Sequence, residues 1–102
     1  MTRIGDETVN SFSHGRTSAI GTAAMALVAT SVAATKGVQS RAADSNTATV
    51  YVGHANLTTD TSDATDGFPL KAGEALFVPV NDASKIFVAS TAANQKIFWF
   101  AI

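Results

Sequence analysis

Residues 68–80 read FPLKAGEALFVPV, two extended runs hinged at Lys71-Ala72-Gly73-Glu74. In the second run Leu76, Val78 and Val80 share one face, the period-two pattern of a half-buried strand. Pro79 lies among them. Proline removes a donor from the sheet ladder, so the run is expected to be an edge strand, or one that ends near Pro79. The extended runs before and after it then become its sheet partners.

Toward the N-terminus, Thr47–Gly53 (TATVYVG) is dense in β-branched and aromatic residues. Ala48, Val50 and Val52 fall on one face and Thr47, Thr49 and Tyr51 on the other. The polar stretch His54–Gly67 follows; connections of that length in a compact domain are functional surfaces or insertions. Before the strand, Asp44-Ser45-Asn46 is a turn cluster, and Lys36–Ala43 reads as a strand. Ser18–Ala24 alternates weakly. Met25–Val28 stays open between strand and helical turn, because alanine and leucine favour helix while Val28, Thr30 and Val32 favour strand.

Toward the C-terminus, Asn81–Ser84 is a turn, and Lys85–Ala89 and Lys96–Ile102 are strands expected to pair as an antiparallel hairpin. The last strand is apolar on both faces: Ile97, Trp99 and Ala101 on one, Phe98, Phe100 and Ile102 on the other. Such a strand is central or covered on both sides, within the domain or against a neighbouring chain. Six to eight short strands with polar turns predict an all-β fold, a single-domain antiparallel β-sandwich or jelly roll over residues 18–102. Residues 1–17 read as an extended N-terminal arm, with a short first strand as the alternative, and carry isolated apolar residues at Ile4, Val9 and Phe12. These three, with Phe98, Trp99 and Phe100, are the candidate interface residues, since aromatic side chains are enriched where subunits meet.

Composition narrows the classes of function. The 102 residues suffice for one domain. Charged residues are only 15%, a low share that implies surface covered by oligomer or particle contacts. The net charge is −1 and no basic run exists to neutralise phosphates, which argues against nucleic-acid binding. The chain has no cysteine, so a disulfide framework, a thiolate zinc site and a thiol nucleophile are excluded. Ser18–Thr35 is uncharged and imitates a targeting signal. It starts late, follows Asp6 and Glu7, and is diluted by Ser, Thr and Gly, so small-residue strands with a turn are the preferred reading over a membrane segment.

Candidate chemistry is sparse. His14 and His54 are the only histidines, and neither sits in a recognisable motif, so both read as surface or turn residues. Asp60, Asp63 and Asp66 lie near Gly67, but their spacing is not that of a calcium-binding loop; they read as solvated carboxylates. No Gly-x-Ser-x-Gly elbow or phosphate-binding glycine loop is present, and no catalytic residue, cofactor or metal is expected. Asn56-Leu57-Thr58 satisfies the glycosylation sequon. A sugar-binding module stacking glycans on Trp99 and Tyr51 is one rival reading, and a membrane-active protein using Ser18–Thr35 is another.

From Lys36 onward, about two thirds of the chain, the order of features resembles small β-sandwich virion structural proteins of tailed bacteriophages. The resemblance rests on Lys36-Gly37-Val38 before a strand ending Arg41-Ala42, and on Asn46-Thr47 opening a strand that ends Tyr51-Val52-Gly53. It continues through Gly67-Phe68-Pro69-Leu70, Ala72-Gly73-Glu74, and Asp82 with Lys85 at a strand entry. It implies a capsid cement or decoration protein, or else a head-fibre, head–tail or tail component. The expected partners are the major capsid protein and further copies of the chain, with a trimer favoured and a dimer the alternative. The expected place is the outer surface of the virion head, with no nucleic acid or membrane partner. The N-terminal third departs from the family's pattern, and the Thr/Asp loop is longer than the pattern requires.

Overall fold

Residues 12–59 and 66–102 are described by the computed structural model of the chain. Among these residues eight strands follow one another: β1 (Ser13–Ile20), β2 (Met25–Ala26), β3 (Val38–Ala42), β4 (Val50–Gly53), β5 (Phe68–Leu70), β6 (Ala75–Val78), β7 (Phe87–Ser90) and β8 (Gln95–Ala101). A 3₁₀ turn, Ala83–Lys85, precedes β7. The strands form two four-stranded sheets, ordered β1-β8-β3-β6 and β2-β7-β4-β5, and every pair is antiparallel. The pairs β4–β5, β3–β6, β2–β7 and β1–β8 nest around the loop after β4, as if a long ribbon had been doubled and wound. That is the strand order of a jelly roll, and the all-β sandwich expected from the sequence is the fold observed.

The opening stretch sits where its proline places it. β6 ends at Val78, one residue before Pro79, and forms the edge of its sheet. β5, which contains Pro69, is the edge of the other sheet. The hinge between them therefore carries the chain from one sheet to the other. Gly73 makes this crossing with φ +84°, a left-handed conformation that a side chain resists. Leu76, Val78 and Val80 pack against the core as their alternation required.

The core lies between the sheets. Val38, Ile97 and Ala101 face Val50, Leu70 and Val88 across it, and Ile20 and Leu27 close one side. Thr17 Oγ1 donates to the Leu27 carbonyl at 2.6 Å, fastening β1 to the chain entering the second sheet. Ser40 Oγ, buried on the inner face of β3, has no hydrogen-bond partner.

Side chains replace missing ladder bonds at three places. Gln95 Oε1 accepts from the N–H groups of Thr47 and Ala48 at 2.9 and 3.0 Å. The strand expected over Thr47–Gly53 consequently begins only at Val50. Asn46 bonds both the N–H and the carbonyl of Lys96. Asp82 caps the 3₁₀ turn. It accepts from the Ser31 and Ser84 hydroxyls and from the N–H groups of Ser84 and Val32, and these bonds hold its carboxyl well below the usual carboxylate range.

Two expectations need correction. The hairpin of Lys85–Ala89 with Lys96–Ile102 does not form: β7 and β8 belong to opposite sheets, and the segment between them is a crossover that ends on Asn94 at φ +63°. The reason is topological, because in this winding β7 pairs with β2 and β4 while β8 fills the gap between β1 and β3. Secondly, Ser13–Thr17, read as part of the arm, pairs with β8 along Ile97–Ala101. The closing strand is central, as its two apolar faces required, and within the chain it is covered on one side, with Phe98 and Phe100 exposed. The ambiguous Met25–Val28 supplies the two-residue strand β2. Among the described residues no helix is long and apolar enough to cross a membrane.

Candidate binding surface

The outer face of the β1-β8-β3-β6 sheet follows from alternation along β8. Ile97, Trp99 and Ala101 turn inward, so Phe98 and Phe100 must turn outward. The register extends each into a row across the sheet. Phe100 lies between His14 and Gln39, and Gln39 faces Phe77. Phe98 lies between Arg16 and Arg41, and Arg41 faces Ala75. Phe77, Phe98 and Phe100 remain 42%, 45% and 38% exposed in the centre and on one flank of the sheet. Phe12 extends the patch, its ring meeting Phe100 edge-on at 6.2 Å and lying 6.5 Å from His14.

Between the rows runs an open groove of ≈ 350 Å³, lined by His14, Gln39, Arg41, Ala75, Phe98 and Phe100. Arg41 is held at its rim. Its Nε donates to the Gly73 carbonyl at 3.1 Å and its Nη2 to Asp44 Oδ1 at 2.9 Å. The Arg41–Asp44 pair is solvent-exposed, so it orients the guanidinium more than it stabilises the fold. The surface is therefore apolar in the middle with cationic and amide groups beside it.

The candidate interface residues separate. Phe12, Phe98 and Phe100 come together on this face. Trp99 also borders the groove, but it is 9% exposed and its ring packs against Gly15. Ile4 and Val9 lie outside the described residues. Phe77 was legible in the sequence as the residue alternating with Leu76 and Val78, but its outward face gained significance only once β6 was placed in this sheet. Arg16, Gln39 and Arg41 join through register, which no local pattern states.

The remaining candidates scatter. His14 is on the outer face of β1, whereas His54 follows β4 in the other sheet. Asp66 accepts from Thr58 Oγ1 at 2.9 Å, and Asp60 and Asp63 lie outside the described residues. Among the described residues no group of three or more His, Asp or Glu could hold a metal ion. Tyr51 is 8% exposed beneath Leu57, so neither it nor Trp99 offers a ring face to a sugar. The chain matches no family model, no curated protein sequence and no solved structure.

Proposed function

We propose that this chain is a bacteriophage capsid cement, or decoration, protein that binds the outer surface of the assembled head and stabilises contacts between major capsid protein subunits. The observation that carries the reading is the uncovered aromatic sheet face of Phe77, Phe98 and Phe100. Its family context comes from the sequence resemblance to small virion sandwiches. Such a role needs no catalytic chemistry. It needs apolar area that becomes buried across a junction, at about 25 cal/mol per Å². Repetition over many identical sites multiplies a modest individual contact. Copies of the chain associate at local symmetry axes, a trimer at three-fold positions or a dimer at two-fold ones.

Purified protein mixed with expanded heads lacking it tests the reading. Cosedimentation with the shells, and sedimentation of the free protein as an oligomer, are expected. A monomer that never attaches to heads overturns the assignment. Removing residues 1–17 tests a separate element, the arm as a capsid contact, but it also removes five of the eight residues of β1 and so must be accompanied by circular dichroism. The alternative role is a head-fibre or tail module that binds a glycan, with Phe98 and Phe100 in place of the buried Trp99 and Tyr51 as stacking surfaces. A glycan array separates it from cement.

A further inference from the structure

A second cleft lies on another side of the sandwich, away from the aromatic face. The edge strands β5 and β6 belong to different sheets and share no ladder, so the sandwich is open between them. Beside β6, facing the end of β4 and the segment before β7, lies a cleft of ≈ 290 Å³. Leu76, Val78 and Val80 line it from one side, Val52 and Ile86 from the other. Val52 and Ile86 belong to the buried core, so the floor of the cleft is the core itself. His54 and Lys85, both exposed, lie at its edge, and among the described residues no carboxylate is part of its lining. Lys85 Nζ donates to Asn81 Oδ1 at 2.8 Å, a neutral acceptor that leaves the ammonium charge uncompensated.

We propose that this cleft binds a single-chain anionic amphiphile, its apolar chain against Leu76, Val78 and Val80 and its carboxylate at Lys85 and His54. The volume is at the lower limit of small-molecule sites, which run from about 300 Å³ upward, and so it suits one alkyl chain rather than a ring system. Apolar walls favour the chain by removing it from water. The Lys85 ammonium selects the head group, with His54 offering a ring N–H beside it: a carboxylate meets positive charge, whereas a cationic head is repelled. This site does not depend on the capsid-binding reading, which uses the outer face of the β1-β8-β3-β6 sheet, whereas Leu76 and Val78 reach the cleft from the core-facing side of β6.

The test is titration of the full chain with sodium decanoate, decanol and decyltrimethylammonium, each below its micelle concentration, while the methyl NMR signals of Leu76, Val78, Val80 and Ile86 are followed. Decanoate is expected to shift these methyls saturably, and the other two probes to bind more weakly. Lys85→Met should weaken decanoate about fivefold, the scale of one exposed charge contact. Val78→Phe, which fills the cleft, should weaken it about tenfold or more. Val80→Phe repeats the test outside the β6 ladder should Val78→Phe disturb folding. No saturable shift with decanoate overturns the site. Equal binding of decyltrimethylammonium or decanol overturns the assigned head group, and with it the proposal.

Discussion

The outer face of the β2-β7-β4-β5 sheet is roofed by its own chain, while that of the β1-β8-β3-β6 sheet presents phenylalanine to water. Under the roof, Tyr51 and Ala89 are buried with Leu57, and Phe87 packs beside them. The segment after β4 turns back through a Leu57 N–H bond to the His54 carbonyl and is tied down by the Gly67 N–H bond to the Thr58 carbonyl. Gly67 passes so close to the sheet that a Cβ there would lie 2.9 Å from Tyr51 Cβ and 3.1 Å from the Val52 carbonyl oxygen. On the other face nothing among the described residues covers Phe98 and Phe100 apart from the edge of Phe12. Both faces carry aromatic side chains, yet among the described residues only one face has chain length spent on hiding them. The lesson is that an aromatic residue stabilises the fold where the chain covers it and is free for a partner where the chain does not.

That contrast can be broken by substitution, and the largest effect is expected under the roof. Tyr51→Ala should lower the unfolding free energy by about 3 kcal/mol, because it removes a buried ring and leaves a cavity beneath Leu57. Chemical denaturation measures this, and a loss below about 1 kcal/mol would mean that the roof is not a packed layer. Gly67→Ala should cost roughly 1–3 kcal/mol, since the clash is with backbone and Cβ atoms that cannot swing aside. A neutral result in the same denaturation experiment would show that the loop lifts freely.

Beneath the open face the effects shrink or change sign. Ser40→Ala should raise stability by about 1 kcal/mol, because the buried hydroxyl has no partner to lose. A decrease in midpoint would reveal a hydrogen bond made by that hydroxyl. Replacing Phe98 and Phe100 together by threonine keeps strand propensity and should change stability by only about 1 kcal/mol or less per site. The same double variant should lose attachment to capsid shells by at least about tenfold, as expected when a central apolar anchor is removed. Retained attachment would move the contact elsewhere on the molecule.

Much of this architecture was readable before any coordinates. The alternation of Leu76, Val78 and Val80 and the position of Pro79 located an edge strand. The aromatic density of the last seven residues located a central one. Partner choice was less legible. The hairpin expected of the last two strands is a local solution, and the jelly-roll winding replaces it with pairings between residues far apart in sequence, such as Gln39 with Phe100 and Thr17 with Ile97. Strand ends were misplaced for a similar reason: Gln95 takes the backbone donors of Thr47 and Ala48, a role no propensity encodes.

By itself, the sequence determined that this is an all-β chain whose strands have two-faced patterns, because side-chain alternation and proline chemistry act over a few residues. The tertiary structure alone decided which aromatic face is bare. Phe98 and Tyr51 look alike in their local patterns; they differ because a distant loop folds over Tyr51 and none among the described residues folds over Phe98. Coverage depends on where the chain returns in space, and that is fixed only when the whole set of strand pairings is satisfied together.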